Sequence, residues 1–159
     1  MKRHPALIPL SRDHHNGLVQ ALRLRRAGAD GDASARLVAA SEFVEFFRNE
    51  ERVHLRDEEE ELFPLFLRHV RSQPAPLREA RVQHMQLEGV ARKLGIAVAA
   101  GSVEGETLDA AGKLLDPHIR LEERQLFPLI EELVPDDELR RLGLASRDLT
   151  CAVRRPPRS

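Results

Sequence analysis

The segment His54-Leu55-Arg56-Asp57-Glu58-Glu59-Glu60-Glu61-Leu62-Phe63-Pro64 recurs 64 residues later as His118-Ile119-Arg120-Leu121-Glu122-Glu123-Arg124-Gln125-Leu126-Phe127-Pro128. Both copies read H-x-x-x-E-E-x-x-L-F-P, with an Arg two places after the His. A duplication at fixed spacing marks a chain assembled from two copies of one supersecondary unit, here a helical hairpin. At about 100° per residue, a step of four returns to within roughly 40° of its starting direction on a helix. His54 therefore shares a face with Glu58, and His118 with Glu122, while Glu59 and Glu123 are rotated away. The shared face is the apolar one. Leu108, Ala111, Leu115, His118, Glu122, Leu126, Leu129 and Leu133 follow three- and four-residue steps, and Val44, Phe47, His54, Glu58, Leu62 and Leu65 nearly do so.

The rest of the chain reads as helices with short connections. Ser11 caps a first helix that stops at Gly28, and residues 29–33 form a loop. Ser34 caps a long run from Ala35 to about Val70. Residues 72–76 break the chain, with Pro76 in the first turn of a third helix, Leu77 to about Ala100, that ends at Gly101. A fourth begins between Ser102 and Thr107, and Pro135 opens a short fifth that closes at Gly143. Pro64, Pro128 and Pro117 fall inside these runs and predict a kink or an early end, since each removes a backbone hydrogen bond. Strand signals are essentially absent. The expected fold is all-α: an antiparallel up-down-up-down four-helix bundle with a short fifth helix near the C-terminus. Residues 1–145 form the bundle domain and 146–159 a tail.

Composition narrows the function. With 25 basic and 26 acidic residues and a net charge of -1, the chain lacks a broad electrostatic grip on nucleic acid. No run approaches the roughly 18 apolar residues of a membrane span, and the apolar stretch after Met1-Lys2-Arg3-His4 is too short for a signal peptide. A single cysteine, Cys151, excludes an internal disulfide framework and a cysteine-based zinc or iron–sulfur site in one chain. The absence of Tyr excludes a tyrosyl radical. The chain reads as cytoplasmic.

Two His and two Glu at core positions require an explanation. An unpaired buried carboxylate costs on the order of several kcal/mol, so it must be protonated, paired or metal-bound. No Lys or Arg shares these faces, whereas His with carboxylate is a common ligand set for iron, manganese or zinc. His84 shares a face with Leu77, Leu87, Ala91 and Leu94, and Glu88 lies one turn on, evenly placed between a ligand and a polar edge residue. On the first helix, His15 lines up with Ile8, Leu18 and Leu22, and His14 with Leu7, Leu10, Leu18 and Ala21; the pattern narrowly favours His15. The candidate metal-site residues are thus His15, His54, Glu58, His84, Glu88, His118 and Glu122. They exceed the needs of one ion and suit a carboxylate-bridged pair about 3.5–4 Å apart. A ferritin-like carboxylate site needs Glu three residues before His on each of two helices. Glu51 precedes His54 in this way, but Leu115 precedes His118.

At these residues the chain resembles the hemerythrin-like family, the HHE cation-binding domains, over roughly residues 8–134. The resemblance implies a non-haem di-iron centre of two iron ions inside the bundle, with zinc or manganese as other occupants. It implies His15, His54, Glu58, His84, His118 and Glu122 as ligands, Glu58 and Glu122 bridging, and dioxygen or a related small oxidant as the partner. Two departures stand out. Glu88 occupies the place of a second third-helix His in oxygen-carrying members, and Glu122 follows His118 by four where they have an Asp after five. More carboxylate favours the ferric state, and so sensing, iron handling, or peroxide and nitric oxide chemistry over reversible carriage. An oxidase- or peroxidase-like enzyme, and a zinc-bound or metal-free interaction bundle, are the competing classes.

Overall fold

A computed structural model describes residues 2–144, and all of the regular structure among them is helical. The expected tail 146–159, its boundary at residue 145 and Cys151 lie outside the described residues. The first helix, α1, spans Ile8–Asp30. A second stretch runs as α2 (Ala33–Phe46), a π-helical turn π1 (Phe47–Glu51), α3 (Arg52–Asp57), a turn π2 (Glu58–Leu62) and α4 (Phe63–Leu67). The third stretch is α5 (Ala75–Ala100). The fourth comprises α6 (Gly105–Leu121), a turn π3 (Glu122–Leu126) and α7 (Phe127–Leu133), before the short α8 (Asp136–Arg140). No described helix is long and apolar enough to cross a membrane.

The helix ends follow local chemistry, with three departures from expectation. Ser11 lies inside α1, which starts at Ile8 with Pro9 in its first turn, where a missing N–H costs nothing. The helix passes Gly28 and continues to Asp30. Asp32, not Ser34, caps α2, its side chain accepting a bond from the Ala35 N–H at 2.8 Å. Gly101 ends α5 in the left-handed conformation, φ 71°, which glycine adopts without steric penalty.

Neither Pro64 nor Pro128 ends its helix. Ahead of each, the backbone widens by one residue, so that Phe63 N–H bonds to Glu58 C=O and Phe127 N–H to Glu122 C=O. The wider turn hands the chain on with the proline in the first turn of the next helix, where its missing donor is harmless. It also shifts the buried stripe: beyond Leu126 the core positions are Phe127, Ile130 and Val134, while Leu133 is exposed. Pro117 stays within α6 on its exposed side.

Helix α1 packs most extensively on α6, α2 touches α1 and α5, and α5 touches α6. Glycines let α1 and α6 approach closely, since a Cβ on Gly28 would lie 2.6 Å from the Gly105 carbonyl oxygen. The interior is divided. One apolar cluster gathers Leu7, Leu10, Phe63, Phe66, Leu77 and Phe127, and another gathers Leu24, Phe43, Phe47, Leu87, Leu94 and Leu115. Along α1, His14 falls between Leu10 and Ala21; along α5, His84 falls between Ala80 and Leu87. A polar layer therefore separates two oily ones.

Candidate metal centre

The polar layer consists of His14, His54, Glu58, His84, His118 and Glu122, each at most 5% exposed. Five of these were singled out from sequence. The first-helix assignment is corrected: His15 is exposed and outside the cluster, and His14 takes the inward place. The buried stripe of α1 runs Leu10, His14, Gly17, Ala21 and Leu24 in four- and three-residue steps. Gly17 hides that stripe from a hydrophobicity reading, yet it is where Ile119 approaches, 2.7 Å from a Cβ built there. Glu88 is also outside. One residue off the His84–Leu87–Ala91 stripe, it sits at the rim facing Arg52 at 3.7 Å.

All four imidazoles are oriented alike. Each Nδ1 is bonded outward: His14 to Glu123 at 2.7 Å, His54 to Asp13 at 3.3 Å, His84 to Glu59 at 2.9 Å and His118 to the Gln83 side-chain oxygen at 3.0 Å. With Nδ1–H donating, each Nε2 turns its other position inward. There His14 Nε2 lies 3.0 Å from Glu122, His54 Nε2 3.4 Å from Glu58 and His118 Nε2 3.5 Å from Glu122. His84 Nε2 lies 3.3 Å from both Glu58 and Glu122. Beyond these His–carboxylate approaches, His14, His54 and His118 Nε2, both Glu58 oxygens and Glu122 Oε2 form no well-aligned hydrogen bond among the described residues. Buried polar atoms are rarely left so, and six of them facing one another across a buried layer is the pattern of donors arranged around cations.

The donors form two groups, each with atoms mutually within 4.8 Å: His14, His54, Glu58 and Glu122, and His84, His118 and Glu122. Glu122 belongs to both. The arrangement is reciprocal between the hairpins. Glu59, from the second helical stretch, supports His84 on the third, and Glu123, from the fourth, supports His14 on the first. Asp13 and Gln83, the residues just before His14 and His84, support His54 and His118. The phenylalanines of the repeat follow the same exchange, Phe127 stacking on His14 at 5.3 Å and Phe63 on His84 at 5.7 Å. Glu59 and Glu123, assigned by single-helix geometry to faces turned away from the core, thus hold ligand-type rings on neighbouring helices.

Charge accumulates in this layer. Burial drives the His14, His84 and His54 imidazoles towards neutrality, but the adjoining carboxylates outweigh it. His14 rises to about 9 beside Glu122 and Glu123, His84 to about 11 beside Glu122, Glu58 and Glu59, and His54 well above its usual range beside Glu58 and Asp13. For His118 burial prevails and the ring is pushed down to about 4. Burial opposes ionisation of Glu58 and Glu122, and the surrounding His groups override it, holding both carboxyls low. Protons on the imidazoles thus balance the buried carboxylates, and uptake of a metal ion would have to displace them.

One further carboxyl is in the vicinity. Glu51 is 4% exposed, and burial pushes its carboxyl up. A family model described as the hemerythrin HHE cation binding domain matches residues 6–130. No curated protein and no solved structure gives a match.

Proposed function

The chain belongs to the family of hemerythrin HHE cation-binding domains, and from that premise we propose that it holds two iron ions and binds or senses dioxygen or a related small oxidant, peroxide or nitric oxide. This reading takes the four helical stretches as an antiparallel up-down-up-down bundle with α8 as a short fifth helix. His14 and His54 would hold one ion and His84 and His118 the other, with Glu122, common to both donor groups, and Glu58, 3.3 Å from His84, in reach of both. The observation that carries it is the set of six buried Nε2 and carboxylate atoms that face one another in the polar layer without a well-aligned hydrogen bond.

Such a ligand set would leave room at a bound ion for a small molecule. When bound, a pair of ferrous ions would supply the electrons for reduction of a small oxidant. The protein's own contribution is positional. Asp13, Glu59, Gln83 and Glu123 fix each imidazole tautomer, and such partners typically contribute about 10–100-fold in metal affinity. Phe63 and Phe127 stack on two of the rings and restrict their orientation.

Elemental analysis of protein purified without chelator tests the proposal. It should give about two iron atoms per chain, with near-ultraviolet charge-transfer bands after aerobic loading against a background free of Tyr and Trp. A double His54→Ala, His118→Ala variant should take up none. One zinc per chain, or full iron occupancy in that variant, would overturn the assignment.

A further inference from the structure

The centre's two halves are not furnished alike, and the difference lies in Glu51. It ends the turn π1 and lies three residues before His54 and seven before Glu58, on one stripe of the second helical stretch. The stripe it shares with His54 and Glu58 puts it one turn from the first donor group, His14, His54, Glu58 and Glu122, although its carboxylate stands outside the 4.8 Å within which those four gather. The residue is 4% exposed and makes no ion pair with another described residue. The second copy has nothing comparable. At the matching place, three residues before His118, stands Leu115, fully buried within an uninterrupted α6.

We propose that Glu51 turns in, one helical turn before His54, as an additional carboxylate ligand for an ion held by His14 and His54, which makes that position the better furnished and the first to fill. The inference rests on the two-ion reading above and extends it: the positions are chemically distinct. Charge outside the ligands acts in the same direction. His14 and His54 are backed by two carboxylates, Glu123 and Asp13, whereas His84 and His118 are backed by one, Glu59, and the neutral amide of Gln83. A divalent cation therefore meets more negative charge on the Glu51 side, and a third carboxylate raises its coordination number there alone.

Titration of the metal-free chain with Co(II), followed by its visible d–d bands and by chelator competition, tests this. The wild-type chain should bind two Co(II) ions in separable steps, the first at least about tenfold tighter. Glu51→Gln should weaken the first step by about tenfold or more, with the second within about twofold, and intensify the bands of the first equivalent as a ligand is lost. Should the Gln variant not fold, Glu51→Asp keeps the charge, shortens the reach, and should weaken the same step. An unchanged first step and spectrum in the folded variant, or equal weakening of both steps, overturns the role of Glu51. A wild-type chain that binds neither Co(II) nor iron overturns the two-ion reading itself, a different result.

Discussion

His54 and His118 hold the same place in the two copies of one motif, and their imidazoles are driven in opposite directions. Both are almost fully buried, both precede a buried Glu by four residues, and both send Nδ1 outward. Burial pushes each towards neutrality. For His54 the Glu58 carboxylate and the Asp13 carboxylate overcome it, whereas His118 has an amide behind it and the charged His84 and His14 nearby. The ligand-type geometry is duplicated; the charge around it is not. A repeat can thus preserve where a donor atom points while its neighbours set its protonation state and the net charge of the pocket.

The largest effect should come from the carboxylates at the middle of both halves. Glu122 contributes to both donor groups, so Glu122→Gln should lose both ions, a drop in affinity of about 100-fold or more by metal competition. Loss of one ion only would break the two halves into independent sites. Replacing an outer carboxylate, Glu59→Gln or Glu123→Gln, should cost about tenfold each, because the imidazole stays but loses the group that orients it.

The metal-free chain should reveal the charge stored in the layer. The folded-state value of His14 is raised to about 9, above its usual 6.5, so its stabilisation is complete below pH 6.5 and is lost as pH rises towards 9. His14 alone should lower the unfolding free energy measured with chelator by roughly 3 kcal/mol across that window, and His84 and His54, also raised, add to the fall in the same direction. The metal-loaded protein should not show the fall, since the ion has replaced the proton. On the acid side, Glu123, held at about 2 against burial by His14, Ser11 and Arg3, adds stability above pH 4.5 that is lost as pH drops towards 2.

A reciprocal exchange sharpens the contrast between the copies. Asp13→Asn should lower the His54 imidazole and Gln83→Glu should raise that of His118, each by about 1 pH unit or more in a metal-free NMR titration. If the two rings still titrate apart after both changes, groups other than these outer partners set the difference. The smallest effects belong to the residues that missed the layer. His15→Ala and Glu88→Ala should leave metal content unchanged and shift stability by no more than about 0.5 kcal/mol.

Periodicity along single helices placed His54, Glu58, His84, His118 and Glu122 on apolar faces, and all five are buried in one layer. It failed where the relevant neighbour belongs to another helix. Gly17 carries no side chain to mark the α1 stripe, so the choice between His14 and His15 depended on how closely Ile119 approaches. Glu59 and Glu123 do point away from their own core stripe, but the groove they enter contains His84 and His14. The second Glu of each E-E pair was the available signal, and it becomes interpretable only once the hairpins exchange partners.

Composition and the doubled motif were sufficient for a helical chain with buried His and Glu, because burial of those groups is unfavourable unless something compensates them. The π-turns were beyond that reach. A proline announces that an α-helix cannot continue unchanged, yet whether it ends, kinks or widens by a residue depends on what packs beside it. Here the widened turns keep Glu58 and Glu122 inward and move Phe63 and Phe127 onto the imidazoles of the opposite hairpin. Spacing along one chain encodes which side chains share a face. Distances between faces, and therefore which donors converge and which carboxylates stand behind them, arise only when the helices pack.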